Sequence, residues 1–374
     1  PPMSLELKSS GINFFEGYTS KNYRNADLYV IGNTISRGNE ILEHILKEKD
    51  KIISGPEWLY KNILKDKKVI AVSGTHGKTS VTSMIAHALI NNGENPSYLI
   101  AGIPKGFNKS WNLTESNYFV IEADEYDTAY FDKKPKFFHY NPDILLINNI
   151  EFDHADIYKN IEEIEQNFME LALGLPKESV IYINSSGVRE SFLDAIQKNI
   201  NVKAQIEAFN AKAEDIYGIN RNITAKGLEG IVSESKVRES LKNYKGVKRR
   251  YDTIFDNESF RVIDDFAHHP TAIKETLKIA KEENGNVTLI VELGSNSMRK
   301  GIHDDALIEI FKENSSYLVS ASPEQEKKFG DYAKPFTENS MKILLQKSDS
   351  KKTILMCGNK NFEGFQTLIL DSLI

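Results

Sequence analysis

The chain has 374 residues, enough for two or three domains that each bury a core. Hydrophobic residues make up 40% and charged ones 27%, the balance of a soluble globular protein, and a net charge of −6 without a basic tail or stripe speaks against a general nucleic-acid binder. The single cysteine, Cys357, excludes an internal disulfide and a cysteine-rich metal site and suits a reducing compartment, so a cytoplasmic setting is expected.

No apolar run approaches a membrane span; Asp143–Ile150 is too short and runs into charge. There is no signal peptide, and the opening Pro1-Pro2-Met3 is not taken as the native start. Residues 1–65 read as a small α/β unit. Asp27–Asn33 is a buried strand, Glu40–Lys49 an amphipathic helix, and Lys51–Ser54 a short strand closed by Gly55-Pro56. Gly32-Asn33 and Ser36–Asn39 leave two readings open, a contact to a diphosphate or sugar at a strand end and plain turn chemistry.

Residues 66–232 form a second α/β region around Lys68–Ala86, KVIAVSGTHGKTSVTSMIA. Lys68–Ser73 is a buried strand, and apolar residues recur at helical spacing over Ser83–Ile90. Between them lies Gly74-Thr75-His76-Gly77-Lys78-Thr79, followed by Ser80. A polyphosphate needs backbone N–H groups at a helix N-terminus, where the helix dipole is positive. Gly74 and Gly77 allow that close approach, Lys78 supplies a cation, and the Thr79 hydroxyl can reach Mg²⁺. Val72 stands where the longer phosphate-loop pattern has glycine, so the match is to a shorter form, and ATP is the expected ligand.

Further strands are expected at Ser97–Gly102, Tyr118–Asp124, Asp143–Ile150 and Ser179–Asn184, with helices at Ile161–Leu173 and Val188–Lys198. Glu122 ends one of these strands, beside the loop strand; it reads either as a Mg²⁺ ligand or as an exposed acidic turn. His154 follows the next strand, between acids, and suits a second metal position, a base or a solvated loop residue.

Residues 233–374 read as a third, doubly wound unit. Helix Glu234–Asn243 precedes a hairpin in which Tyr251–Phe255 and Phe260–Asp264 flank a four-residue turn. Helix Pro270–Glu283, strand Asn286–Glu292, helix Asp304–Lys312, strand Ser316–Ser320, a helix near Asn339–Lys347, strand Thr353–Cys357 and a last helix follow. Asp264-Asp265 and His268-His269 close a strand and open a helix. Adjacent turn residues rarely converge on zinc, so contact with a nucleotide or substrate is preferred. Lys248-Arg249-Arg250 is either a solvated basic patch or a source of arginine for phosphates.

Taken together, GTHGKT at 74–79, EADE at 122–125, NNIEFDH at 148–154, RRYD at 249–252 and DDFAHHP at 264–270 resemble the ordered motifs of the Mur ligases, over nearly the whole chain. The resemblance implies three domains: a Rossmann-like UDP-substrate domain at 1–65, a P-loop-like ATPase domain at 66–232 and a Rossmann-like C-terminal domain at 233–374. It implies an ATP- and Mg²⁺-dependent amide ligase of peptidoglycan recycling that acts through an acyl phosphate, as a monomer or weak homo-oligomer, without nucleic acid or membrane. Thr79 and Glu122 would ligate one Mg²⁺ and His154 a second. Lys78 and the loop amides would hold the phosphates, Arg249 or Arg250 would lean on the γ-phosphate, and Asp265 with His268 would meet the nucleoside.

Within the family, Glu122–Asp156, with its FDKKPKFFHY segment at 131–140, resembles members that join UDP-N-acetylmuramate to L-alanyl-γ-D-glutamyl-meso-diaminopimelate, a murein tripeptide. The alternatives are a ligase that adds free L-alanine and a non-catalytic nucleotide-binding regulator. Three departures stand out. The chain starts beyond the family's first strand and glycine-rich turn, an adenine-flanking segment is missing near Val232–Ser233, and Glu292–Asn296 lacks the family's arginine. Stretches of the natural protein are therefore expected to be absent from this chain.

Overall fold

The computed structural model describes residues 7–8, 10–48, 51–153, 157–346 and 350–374. They divide into two compact units. The first holds residues up to Phe152, Asn160–Lys212 and Gly218–Lys245; the second holds Asp153 with residues 157–159, Ala213–Tyr217 and everything from Gly246 onward. No helix among the described residues is long and apolar enough to cross a membrane.

In the first unit, β1 (Tyr29–Ile31) and β2 (Ile52–Ser54) pair in parallel around a small core of Tyr29, Ile31, Leu42 and Ile45. Gly55-Pro56 do not simply close β2; they open a helix, Gly55–Asn62. Ser54 caps it, its Oγ accepting from the Glu57 N–H at 3.3 Å. Proline fits the first turn because its missing N–H would have no partner there.

The larger sheet of this unit contains β3 (Lys68–Ser73), β4 (Ser97–Leu99), β5 (Trp111–Asn112) and β6 (Tyr118–Glu122). A hairpin of β7 (Asp127–Ala129) and β8 (Asp132–Pro135) follows, and β9 (Ile144–Ile147), β10 (Val180–Asn184) and β11 (Gln205–Phe209) complete the sheet. The strand order is β11-β10-β9-β3-β6-β4-β5, parallel except for β5. From β3 the chain runs out to β4 and β5, returns to β6 beside β3, then crosses to β9 on the other side. The winding thus reverses at β3, and the C-terminal ends of β6, β3 and β9 meet at this switch point, the usual ligand position in open α/β sheets.

Helix Lys78–Asn91 follows β3 and buries Val81, Ile85 and Leu89 against Ile70, Val72 and Val120. Helix Glu234–Lys242 adds Val237 and Leu241 to the same core, and the Tyr244 hydroxyl donates to Ser83 Oγ at 2.9 Å. Besides helix Gly55–Asn62, the elements not expected from the sequence include β5, the β7–β8 hairpin, β11 and helix Ile216–Gly227. No residue of β11 is fully buried, so it lacks the apolar run that marks β3 and β9.

The second unit is a six-stranded sheet built from β12 (Asp252–Asp256), β13 (Phe260–Asp265), β14 (Val287–Glu292), β15 (Ser315–Val319), β16 (Lys334–Pro335) and β17 (Lys352–Cys357). Their order is β12-β13-β17-β14-β15-β16. The expected hairpin is present as the antiparallel pair β12–β13, while the remaining pairs are parallel. Side chains alternate between faces. Ile263, Leu289, Val291, Leu355 and Cys357 face one helical layer, and Val262, Ile290, Ile354 and Met356 face the other. The sheet is doubly wound, and helices Asn296–Arg299 and Pro323–Phe329 are not announced by the sequence pattern.

Candidate active site

The expected site residues fall into two groups, one in each unit. In the first, β3 ends at Ser73 and the chain turns through Gly74, at φ 131°, and Gly77, at φ 79°, into the helix beginning at Lys78. Both glycines are required by space as well as by torsion. A Cβ at Gly74 would lie 2.8 Å from the Asn149 carbonyl oxygen, and one at Gly77 would lie 2.9 Å from Asn220 Oδ1.

The loop is held from the β9 side. The His76 N–H donates to Asn149 Oδ1 at 2.8 Å, and Asn149 Nδ2 donates back to the His76 carbonyl at 3.1 Å. The Thr75 hydroxyl accepts from the Glu151 N–H at 2.9 Å, and His76 Nε2 lies 3.5 Å from Glu151 Oε2. Asn148 and Asn149 belong to one of the sequence motifs, but their role as a brace is not legible there. Only the adjacency of β9 to β3 brings them under the loop.

On the β6 side stand three carboxylates. Val72 pairs with Glu122 across the β3–β6 ladder, which places Glu122 beside the loop as its position at a strand end suggested. The Thr79 hydroxyl donates to Glu122 Oε1 at 3.0 Å, and the Ala101 N–H donates to Oε2 at 3.1 Å. Lys78 Nζ donates to the Gly74 carbonyl at 2.6 Å and to both oxygens of Glu125, at 3.0 and 3.2 Å. Asp124 takes Lys136 Nζ at 2.9 Å. Burial alone would lower the Lys78 pKa, but Glu125, Asp124 and Glu122 outweigh it and hold the ammonium above its ordinary value. Burial, with help from Asp124 and Glu122, likewise raises the Tyr140 hydroxyl. Ser80 is half-buried in the first helical turn, and His154 lies outside the described residues.

The second group surrounds the end of β13. Arg249 and Tyr251 both have positive φ, 61° and 49°. That turn lets Arg249 Nε reach Asp264 Oδ2 at 3.1 Å and Nη2 reach the Gly358 carbonyl at 2.9 Å. Arg250 stacks its guanidinium 4.7 Å from the centroid of Phe266. Asp265 accepts from the Tyr251 and Ala267 N–H groups, each at 2.7 Å. Burial raises both Asp264 and Asp265, against the pull of Arg249 and Arg250 respectively. His268 hydrogen-bonds the Phe266 carbonyl through Nδ1 at 2.8 Å, and His269 caps the helix Pro270–Glu283. At the Glu292–Asn296 segment, where Gly294 stands at the position of the expected arginine, Glu292 accepts from the Lys360 and Phe362 N–H groups, each at 2.8 Å, and Arg299 Nε turns back to the Gly294 carbonyl at 3.2 Å.

A glycine-punctuated strand–loop–helix turn at the switch point of a mostly parallel sheet, with a lysine, a hydroxyl and a carboxylate converging on it, has the geometry of a nucleotide site in an α/β enzyme. The Mur ligase middle domain family matches residues 72–244. A curated relative from Haemophilus influenzae, named UDP-N-acetylmuramate–L-alanyl-γ-D-glutamyl-meso-2,6-diaminoheptandioate ligase, is 31% identical over 100% of this chain and 91% of its own length. Its namesake from Escherichia coli K12 is 34% identical over 82% of this chain and 74% of the relative. The crystal structure of a murein peptide ligase from Psychrobacter arcticus superposes with a TM-score of 0.73, at 28% identity, covering 100% of this chain and 91% of that one. The chain belongs to the Mur ligase family, and is thus an ATP-using ligase that forms carbon–nitrogen bonds.

Proposed function

We propose that the chain joins UDP-N-acetylmuramate to the tripeptide L-alanyl-γ-D-glutamyl-meso-diaminopimelate, in peptidoglycan recycling in the cytoplasm. The observation that carries this reading is the convergence of Lys78, Thr79 and Glu122 on one phosphate loop, in a chain matched almost end to end by relatives named for that reaction. The muramyl lactate carboxylate attacks the γ-phosphate of ATP, and the O–P bond that forms gives an acyl phosphate while ADP leaves. The tripeptide's amine then attacks the acyl carbon, and the C–O bond breaks to release phosphate.

Two anions must meet in the first step, so electrostatic stabilisation dominates. Lys78 brings a buried positive charge, and the N–H groups of the loop and first helical turn complete the cradle. Thr79 and Glu122 offer the hard oxygen ligands that Mg²⁺ prefers, their oxygens 3.0 Å apart, and they would hold it. Bound there, Mg²⁺ would supply charge neutralisation at the phosphates. We assign the second metal position to His154, and nucleotide contacts to Gly74–Ser80, Arg249, Arg250, Asp265 and His268. In this assignment residues 1–65 serve the UDP substrate, 66–232 carry the ATP loop and 233–374 the remaining nucleotide and amino-substrate contacts.

Oxygen-18 in the lactyl carboxylate tests the route. The account expects one labelled oxygen in the inorganic phosphate released with the tripeptide; label retained wholly in the amide product or substrate contradicts it.

A further inference from the structure

The three carboxylates beside the phosphate loop are not equivalent. Glu122 is engaged by the Thr79 hydroxyl and the Ala101 N–H, and Asp124 by Lys136 Nζ and the Tyr126 N–H at 3.1 Å. Glu125 is the one that grips Lys78, with both oxygens. Only 4% of the Glu125 side chain and 13% of the Lys78 side chain are exposed, so the pair is closed off from solvent.

An ammonium has three N–H bonds. In this structure they are directed at the Gly74 carbonyl and the Glu125 carboxylate. A phosphate oxygen entering the loop can bond Lys78 only if Glu125 gives up at least one contact. The arriving phosphate and the Glu125 carboxylate are then like charges in a poorly screened place. We propose that Glu125 is a positioning residue that acts through Lys78. It latches the ammonium while the loop is empty, competes with the nucleotide for it, and takes it back as ADP leaves. The inference rests on the reading of Lys78 as the phosphate-binding lysine. A purely structural ion pair would affect stability and leave nucleotide affinity alone.

The test is calorimetric titration of ADP into the full chain with EDTA present, so that no metal bridges the groups. Glu125→Gln keeps the side-chain shape and removes the charge; its Kd for ADP is expected to fall about tenfold. Asp124→Asn removes the same charge one residue away, from a carboxylate partnered by Lys136, and should shift Kd less than about twofold. Glu125→Asp, which keeps the carboxylate on a shorter arm, should lie between Glu125→Gln and the unaltered chain. In steady state Glu125→Gln lowers KM for ATP and kcat together, because release of ADP slows.

An ADP affinity in Glu125→Gln that is unchanged or weaker overturns the latch. So does equal tightening in Asp124→Asn, which would mark a bulk charge effect. Should thermal melts show Glu125→Gln unfolded, Glu125→Asp carries the test, and an unchanged Kd there is likewise fatal. If the unaltered chain fails to bind ADP, the phosphate-loop reading itself falls, an outcome separate from binding that the variants do not alter.

Discussion

Lys78 meets two demands that pull against each other, burial and charge. Its side chain is nearly enclosed, yet neighbouring carboxylates hold the ammonium above its ordinary value, so it stays charged across the working pH range. Replacing it with methionine removes the cation and leaves Glu125 buried without it. We expect Lys78→Met to slow ATP-dependent phosphate release by about 10²–10³-fold, the usual cost of losing one stabilising group at a reacting phosphoryl or acyl centre. Urea denaturation should also show a loss of about 3–5 kcal/mol, the usual cost of removing one member of a buried ion pair. Adding Glu125→Gln to that variant should restore part of the stability and none of the rate. Failure of the double variant to regain stability would mean the pair is not the source of the loss. At this scale the turn that brings the glycines, Lys78 and Thr79 together between β3 and its helix was legible, since glycine spacing between a strand and a helix marks it. The partner of Lys78 was not. Which member of Glu122-Ala123-Asp124-Glu125 turns toward the loop depends on how the chain leaves β6, and that turn carries no local signature.

The element that matters most is the strand–loop–helix unit from Lys68 to Asn91, together with the residues that brace it after β9. Gly74 sits at φ 131° with the Asn149 backbone where its Cβ would be. Gly74→Ala is therefore expected to cost roughly 1–3 kcal/mol and to abolish ADP binding, because the loop must shift off its brace. Gly106, at φ 88° with nothing within 4 Å, is the control. Gly106→Ala should cost about 1–2 kcal/mol through its torsion alone and leave ADP affinity intact. Equal loss of binding in both variants would contradict the assignment. Apolar runs and helical spacing made β3, β6, β9 and most of the second sheet legible, with ends differing by a few residues. What escaped were elements without a strong apolar signature. Among these were the exposed strand β11, the short hairpin β7–β8, and helices opened by proline, at Gly55–Asn62 and Pro323–Phe329. In the two helices, proline was compatible with a stop and with a start. The caps Ser54 and Ser322 decide for a start, each accepting a helix N–H through its hydroxyl.

For the whole molecule, His87 is a group in the first unit that ties stability to pH near neutrality. Burial pushes His87 below the ordinary histidine range, against the opposing effect of its contact with the Ser240 carbonyl at 3.1 Å. The folded chain thus binds fewer protons at this ring than the unfolded chain, and protonation favours unfolding. Stability from this site is complete above about pH 6.5, falls as pH drops below it, and levels once pH passes the folded value. His87→Gln is expected to flatten that part of a urea-midpoint profile; an unchanged slope would place the acid sensitivity elsewhere.

Several ordered motifs, spread from Gly74 to Pro270, make the family legible in the amino-acid sequence alone, because no single-domain accident places them in that order. The FDKKPKFFHY segment at 131–140 folds as β8 and a short helical turn, with Lys136 tied to Asp124.

Phosphate release from Mg-ATP with UDP-N-acetylmuramate is the most direct measurement, comparing the murein tripeptide with free L-alanine. The account predicts release that requires the tripeptide and yields the UDP-linked tripeptide product. Release driven by L-alanine alone, or none with either despite bound ATP, would contradict it.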